Sequence, residues 1–490
     1  MDGSVDRLSP LDVSFLHLED EVSHMNIGSI GLFEGPPPGE DELLRAIEGK
    51  LHLAPRWRQR VRFIPLEAGR PVWVDDPHFD LGFHLRRTGL PSPGGETQLR
   101  RLVGRVMSQQ LDRDRPLWEL WVVEGMADGR WALISKLHHA MVDGVSGSNL
   151  ITVLLDDDRE PEPTKAPAWS PREEPAGLQL VADALLERAR WPLREARSAL
   201  GALGDPRGWA EHAAQTVQGL VAYAGIARRP PSSRLNGPIG PHRVWTSARA
   251  QLSDVKEIRT ALDGTVNDVV LTVIAGGFRT LMVSRGEDVS DDRTLRTLVP
   301  VSVRGRGQSG DYDNRVSAMF ADLPVGIEDP VARLGAVHSQ MRHLKGTHEA
   351  VAGEVLTSMG GFAPEMLLAL GARVAARVPQ RNVNTVTTNV PGPQRPLFLT
   401  GRRMLETLPY VPLGGHVRVG VAIYSYDGGL GFGVTGDRGT AADVGVLAEG
   451  IEASMSELLA VARAHARQEP GKAPARRRAQ HGARGARARG

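Results

Sequence analysis

The sequence predicts an α/β fold made of two lobes of similar size. Its 490 residues suffice for two or three domains, or for one large two-lobed unit. Strand-like and helical segments are mixed in both halves, and a polar, proline-rich stretch separates the halves. The chain has 41% hydrophobic and 24% charged residues, which is ordinary for a globular protein with a substantial core.

The chain divides into four stretches. The linker opens with the sequence DDDREPEP at 156–163 and becomes helical from about 178 to 226. The last stretch contains mainly Ala, Gly and Arg without periodicity, so we expect it to be disordered. We therefore predict a first lobe at 1–155, a proline-rich and partly helical linker at 156–235, a second lobe at 236–463 and a basic tail at 464–490.

Several segments have the pattern of secondary structure elements. A capped start followed by apolar residues predicts a helix over 265–275. Another helix is expected at 145–155, after a tight turn. Runs of apolar and β-branched residues predict buried strands at 131–137, 295–303, 417–424 and 431–435.

Composition and motif context exclude several classes of protein. A formal net charge of +1 gives no case for a specific nucleic-acid partner. The absence of cysteine excludes disulfides, thiolate zinc sites and a thiol nucleophile, and fits a cytoplasmic location. The G-x-G-x-x-G pattern at 305–310 precedes a loop and a strand rather than a helix, so no nucleotide cofactor is expected.

Hydropathy decides what is expected about contact with membranes. The start of the chain lacks the basic and apolar regions of a signal peptide. No run of about eighteen uninterrupted apolar residues is present, so no spanning helix is expected. Contact with lipid would then be peripheral. The basic tail either attracts anionic headgroups or is a solvated segment of biased composition, and both interpretations remain open.

The segment at 138–144, HHAMVDG, carries the most chemical information. It places two histidines at the end of a predicted strand, where side chains can project into a cleft, and puts an Asp-Gly turn after them. Histidine has an ordinary pKa of about 6.5, so it can accept a proton from a hydroxyl near neutral pH and return it to a leaving thiolate. A structural or surface-exposed histidine pair is the main alternative. Zinc binding is disfavoured, because adjacent strand residues point to opposite faces.

This segment resembles the HHxxxDG motif of the CoA-dependent acyltransferases, a superfamily that includes chloramphenicol acetyltransferases and peptide-synthetase condensation domains. Other segments resemble the bacterial wax ester synthase/diacylglycerol acyltransferase family in particular. These landmarks are SPLD and FLHLE at 9–19, MNIGS at 25–29, PLWE at 116–119, ND at 267–268, LVPVSVR at 298–304, TNVPGP at 388–393, SYDG at 425–428 and VTGD at 434–437.

The resemblance implies two chloramphenicol-acetyltransferase-like lobes with mixed sheets and a tunnel between them. It implies a long-chain acyl-CoA as co-substrate, no bound cofactor or metal, and an acceptor that is a fatty alcohol or diacylglycerol. His139 would be the general base and His138 would support the loop. Asp143 would tie down the turn, with Arg304 as its expected partner, and Gly144 would allow the backbone angles of the turn.

Four further positions receive roles from the same resemblance. Asn267 is the candidate donor to the oxyanion of a tetrahedral intermediate, with a helix N-cap as the alternative. Asp268 is a candidate substrate-binding residue, as are Pro116 and Leu117. Trp118 is either a core aromatic residue at the start of a strand or part of the tunnel wall.

The sequence thus predicts an acyl-CoA-dependent O-acyltransferase that forms triacylglycerol, wax esters or both at a membrane or lipid-droplet surface. Two alternatives remain. One is a related acyltransferase or condensation enzyme with a polyketide, sugar or amine acceptor. The other is a non-catalytic protein of the lipid-droplet surface, against which the intact motif argues.

Overall fold

The computed structural model describes residues 6–141, 152–161, 166–186, 232–303, 315–346 and 383–468. These residues form two six-stranded sheets and one two-stranded sheet, with helices packed around them. The predicted α/β fold with mixed sheets is therefore confirmed.

The first half of the chain supplies strands β1 (Asn26–Phe33), β2 (Gln59–Arg62), β3 (Val72–Asp75), β4 (Leu85–Gly89), β5 (Trp118–Glu124) and β6 (Trp131–His138). The second half supplies β7 (Arg243–Gln251), β8 (Leu295–Val303), β9 (Arg315–Leu323), β10 (Thr385–Pro391), β11 (Phe398–Leu399), β12 (Arg402–Tyr410), β13 (Val419–Tyr426) and β14 (Gly429–Asp437). The helices are α1 (Pro10–Leu18), α2 (Glu40–Glu48), α3 (Leu81–His84), α4 (Glu96–Met107), α5 (Gly177–Leu186), α6 (Leu252–Leu262), α7 (Val266–Ser284), α8 (Pro330–Gly346) and α9 (Val444–Gln468).

Both large sheets combine parallel and antiparallel pairs. The first has the order β11-β12-β1-β6-β5-β4, and only its β4–β5 pair is parallel. The second has the order β7-β14-β13-β10-β8-β9, with β10 parallel to both β8 and β13. Strands β11 and β12 come from the second half of the chain but extend the first sheet. The stretch predicted as the second lobe, 236–463, therefore contributes strands to both large sheets.

The predicted elements within the described residues lie close to the observed ones, whereas the helix predicted at 145–155 lies largely outside the described residues. The strand predicted at 295–303 has the observed bounds, and the one predicted at 131–137 is one residue longer. The helix predicted near 265 starts at Val266 after an N-cap at Thr265. Helix α9 continues to Gln468, so the first five residues of the predicted disordered tail are helical. Residues 187–231 of the linker and 469–490 of the tail lie outside the described residues.

Helix α7 is long and apolar enough to cross a membrane by length and composition alone. It nevertheless has 72% of its most apolar 18-residue window buried inside the second lobe. There it packs closely against α9, since a Cβ atom added at Gly277 would lie 2.9 Å from the carbonyl oxygen of Leu447. This burial is that of a core helix, and the polar residues Asn267, Asp268 and Arg279 explain why no uninterrupted apolar run marked it in the sequence.

Candidate active site

The histidine pair lies at the C-terminal end of strand β6. His138 is its last residue and pairs with Asn26 on β1. The backbone N–H of His138 donates to the carbonyl oxygen of Leu117 at 2.9 Å, and the N–H of His139 donates to that of Met25 at 2.8 Å. The chain then leaves the sheet in a short 3₁₀ turn at His139–Met141. The two histidines consequently lie in different backbone conformations, one in the strand and one in the turn.

The ring of His138 is buried, with 1% of the residue exposed. Its Nδ1 atom accepts a hydrogen bond from the backbone N–H of Ala140 at 3.0 Å. Its Nε2 atom lies 3.4 Å from Oε2 of Glu19. Because Nδ1 accepts a hydrogen bond from the backbone and Nε2 faces a carboxylate, the contacts favour the tautomer with hydrogen on Nε2.

Glu19 follows α1 and is the anionic partner of His138. Its side chain is 1% exposed, and Nε of Arg113 donates to its Oε2 atom at 3.0 Å. Burial alone would raise the pKa of Glu19, but the contacts with His138 and Arg113 outweigh burial and lower the pKa from 4.5 to about 2. Glu19 is therefore ionised throughout the physiological pH range.

The ring of His139 packs against an aromatic side chain. It stacks on the ring of Phe15 with centroids 3.9 Å apart and an interplanar angle of 26°. Its Nδ1 atom is buried without a hydrogen-bond partner among the described residues. Burial lowers the pKa of His139 from 6.5 to about 4, and contact with its own backbone only partly offsets this lowering. The imidazole is therefore neutral at pH 7 and can accept a proton.

The rest of the HHxxxDG motif cannot be placed. Asp143 and Gly144 lie outside the described residues, and so does Arg304, the expected partner of Asp143. Their assigned roles stay predictions.

The Pro116-Leu117-Trp118 segment leads into β5, which pairs with the strand that carries His138. Trp118 is 1% exposed and its Nε1 atom donates to the carbonyl oxygen of Trp57 at 2.8 Å. Its ring also stacks on that of His84 at 4.4 Å. These contacts favour the core interpretation of Trp118 over the tunnel wall. The carbonyl oxygen of Leu117 holds the backbone of His138, so the segment acts on the site through the strand.

Asn267 and Asp268 occupy the first turn of α7 but differ in their contacts. Thr265 is the N-cap, so the N-cap interpretation of Asn267 is wrong. The side-chain oxygen of Asn267 accepts from Nδ2 of Asn389 at 3.3 Å, at the end of β10. Asp268 is buried and completes the capping box by accepting from the N–H of Thr265 at 2.8 Å. Its Oδ2 atom also lies 2.8 Å from Nδ1 of His338, so its observed contacts are structural.

A cavity of about 260 Å³ lies where the two halves of the chain meet. Thr152 and Asp157 line it from the first half, and Gly392, Arg395 and Tyr424 line it from the second half. Arg395 and Asp157 form a bidentate ion pair across this boundary, with N–O distances of 2.8 and 3.0 Å. The cavity therefore adjoins both the TNVPGP landmark and the chain that follows the histidine motif.

Three residues of the site received no role from the sequence. Phe15 and Glu19 fall in a landmark of the family resemblance, but nothing in the local pattern connects them with the histidines about 120 positions later. Their spacing of four residues places them on one face of a helix, which was the available signal. Arg113 precedes the PLW segment by three positions and carried no signal of its own.

Comparison with known proteins identifies relatives over most of the chain. The sequence model for the wax ester synthase/diacylglycerol acyltransferase catalytic domain matches residues 8–270, and that for the WS/DGAT C-terminal domain matches residues 312–459. The chain is 37% identical over 461 residues to the protein named "Probable diacylglycerol O-acyltransferase tgs1" of Mycobacterium tuberculosis, covering 94% of this chain and 97% of the relative.

Solved structures agree with this similarity. The wax ester synthase/diacylglycerol acyltransferase from Marinobacter aquaeolei VT8 matches with a TM-score of 0.64 at 26% identity, covering 93% of this chain and all of that one. The first condensation domain of the CDA synthetase matches with a TM-score of 0.57 at 16% identity, covering 94% and 97% of the two chains. The second match shows a shared fold only.

Proposed function

The chain belongs to the wax ester synthase/diacylglycerol acyltransferase family and is an acyltransferase, and we propose that it transfers a long-chain acyl group from CoA to a hydroxyl of diacylglycerol or of a fatty alcohol. The name of the mycobacterial relative favours diacylglycerol as the principal acceptor. Acyl-CoA enters as a co-substrate, and the chemistry we propose needs no bound cofactor or metal.

The environment of His139 is the observation that carries the proposal. Its imidazole stacks on Phe15 and has a pKa lowered to about 4, so it is held in one orientation and is unprotonated at neutral pH. A general base must be in this protonation state before the reaction begins. Since Nδ1 is the nitrogen nearer to the backbone and is buried, we assign proton transfer to Nε2.

The proposed reaction proceeds by direct attack. Nε2 of His139 accepts the proton of the acceptor hydroxyl while the hydroxyl oxygen bonds to the thioester carbonyl carbon. The tetrahedral intermediate then re-forms the carbonyl and breaks the C–S bond. The departing thiolate takes the proton from the imidazolium, which yields the ester and free CoA and restores neutral His139. No covalent acyl-enzyme is required.

Asn267 is the proposed donor to the oxyanion of this intermediate. Its side-chain oxygen accepts a hydrogen bond from Asn389, and its NH₂ group is the donor that we assign to the oxyanion. A neutral donor on the first turn of a helix also has the positive end of the helix dipole beside it. His138 and the PLW segment support the base through the strand and the turn.

A product assay tests the acceptor class. Purified protein is given palmitoyl-CoA with dioleoylglycerol, hexadecanol or a hydrophilic amine, and both CoA release and the lipid product are measured. We expect turnover with diacylglycerol, with hexadecanol or with both, and none with His139→Ala. Turnover with the amine alone would replace this proposal with a condensation-type reaction.

We also propose that the protein acts at the cytoplasmic surface of a membrane or lipid droplet. The β2–β3 connection and α5 lie together, since a Cβ atom added at Gly177 would be 3.4 Å from Pro65. This surface exposes the side chains of Leu66 (89%), Leu178 (86%), Leu185 (55%) and Leu186 (53%). Exposed leucines on a short helix are typical of peripheral contact with lipid.

Flotation with anionic liposomes tests the membrane proposal. Leu66→Ser/Leu178→Ser and a deletion of residues 471–490 should each weaken binding while turnover of a soluble acceptor is kept. Leu405→Ser is the matched control, because Leu405 is 41% exposed on another part of the molecule. Unchanged flotation of the double variant and of the deletion would contradict attachment through these parts.

A further inference from the structure

We infer that Glu19 is a positioning residue of the acyl transfer, which fixes the ring of His138 and thereby the turn that presents His139. The inference rests on the proposed role of His139 as the base. It assigns to α1 a function in the site, although this helix lies at the opposite end of the first half of the chain from the histidine motif.

The shortest contacts of Glu19 are made by one oxygen atom, Oε2, whereas Oε1 lies 3.9 Å from Nδ1 of His24. Oε2 lies 3.4 Å from Nε2 of His138 and accepts from both Nε and Nη2 of Arg113. Nη2 of Arg113 also donates to the carbonyl oxygen of Leu16 at 3.0 Å, which fastens the end of α1 to the segment before β5. The carboxylate is thus held from one side while it faces the histidine on the other. Such a buried, charge-assisted arrangement restricts the ring more than an exposed ion pair would.

The ring of His138 connects this carboxylate to the catalytic turn. Its Nδ1 atom must carry a lone pair to accept the N–H of Ala140, so the ring proton has to reside on Nε2. Glu19 is the described acceptor that favours this tautomer. Without an acceptor there, the proton can move to Nδ1, and the bond to Ala140 is lost. Ala140 directly follows His139, so its backbone position sets the orientation of the base.

The same helix contacts His139 directly. Phe15 lies in the last turns of α1, and Glu19 is the C-cap residue directly after the helix. The ring of Phe15 stacks on His139 while Glu19 faces His138, so the C-terminal end of α1 contacts both imidazoles. The position of α1 is fixed independently by its N-terminal cap, where the hydroxyl of Ser9 accepts from the N–H of Asp12 at 3.1 Å.

The test compares variants that keep or remove the acceptor on Oε2. Glu19→Gln can place an amide oxygen at the same point, so its kcat should stay within about threefold of wild type. Glu19→Met has similar length and no acceptor, so its kcat should fall about 10- to 100-fold, as expected for displacement of a catalytic group, with an unchanged KM for acyl-CoA. Glu19→Asp shortens the reach by one methylene group and should give an intermediate kcat, which keeps the test decisive should Glu19→Met fail to fold.

Two controls separate positioning from general stabilisation. Arg113→Met removes the same ion pair but leaves the contact between Glu19 and His138, so it should lower the melting temperature as Glu19→Met does while losing clearly less kcat than Glu19→Met. The double variant Glu19→Met/His138→Ala should be no slower than His138→Ala alone, because residues that act through one contact are not additive.

Several outcomes would overturn the inference. Glu19→Gln could lose as much kcat as Glu19→Met, or Arg113→Met could lose as much kcat as Glu19→Met. The losses of Glu19→Met and His138→Ala could add in the double variant, or Glu19→Asp could retain wild-type kcat. Failure of the proposed function would look different: either the wild-type protein would not release CoA with any hydroxyl acceptor, or His139→Ala would retain activity.

Discussion

The lowered pKa of His139 predicts an unusual pH profile for the reaction. An ordinary histidine with a pKa of about 6.5 is only about 9% neutral at pH 5.5, whereas one with a pKa of about 4 is about 97% neutral. The lowered pKa results first from burial, which disfavours the imidazolium. It corresponds to about 3 kcal/mol of differential interaction between the two protonation states.

The sign of the effect follows from the role of a base. Only neutral His139 can accept the proton, so kcat/KM should rise with pH through about 4 and remain level from about pH 5.5 to 8. Glu19 does not affect the acidic side of this pH profile, because its pKa of about 2 keeps it ionised over the whole range. The same depressed pKa of His139 makes the folded state lose stability as the pH falls from 6.5 towards 4, because the unfolded chain binds the proton more tightly.

The assay is CoA release at subsaturating acyl-CoA and saturating acceptor, from pH 4.5 to 8, since kcat/KM reports the ionisation of the free enzyme. Melting curves at each pH show where the protein stays folded. A roughly tenfold loss of kcat/KM between pH 7.5 and 5.5 in folded protein would show that His139 titrates as an exposed histidine. That result would refute the argument from burial.

The other predictions concern single side chains of the site. His139→Ala should lower kcat by about 10²- to 10⁴-fold in CoA release with an unchanged fold, and His138→Ala should lose less, so the reverse order would exchange their roles. Phe15→Leu should lower kcat about 2- to 30-fold, because the aromatic face contributes roughly 0.5–2 kcal/mol to a cation formed over it, and Phe15→Tyr should restore the rate. Asn267→Ala should lose about 10²- to 10³-fold in kcat at an unchanged melting temperature, whereas Asp268→Ala should lower the melting temperature by removing a cap of about 1 kcal/mol. Equal effects of these two variants on melting would contradict the separation of their roles.

The sequence was sufficient to predict the elements that depend on local patterns. Strand β8 has a continuous apolar and β-branched run, and α7 begins at a capping residue, so both could be located to within a residue. Strand β12 could not be assigned to the first sheet, because its pattern contains no information about which lobe accepts it. The burial of Lys136 could not be predicted either. This residue is fully buried within β6, with its ammonium group 3.6 Å from Glu119. A lysine in a strand ordinarily predicts a solvent-facing position.

Some residues of the candidate site could likewise be identified from local patterns, and others could not. The histidine motif, the PLW segment and the ND pair could be identified because they are short, ordered patterns. Their partners could not, because the contacts of Glu19 with His138 and of Phe15 with His139 join positions about 120 residues apart. Burial of Trp118 favours the core interpretation over the tunnel wall, two interpretations that its sequence context left open.

The transition from strand to turn explains why two adjacent histidines have different chemistry. His138 still belongs to β6, so the pleat directs its ring towards the carboxylate of Glu19, and both of its nitrogens face hydrogen-bonding groups. His139 is the first residue outside the sheet, and its ring lies against Phe15. The contacts of His138 hold its ring in place, whereas burial keeps the imidazole of His139 neutral and available as a proton acceptor. The different roles of the pair therefore follow from the residue at which the strand ends.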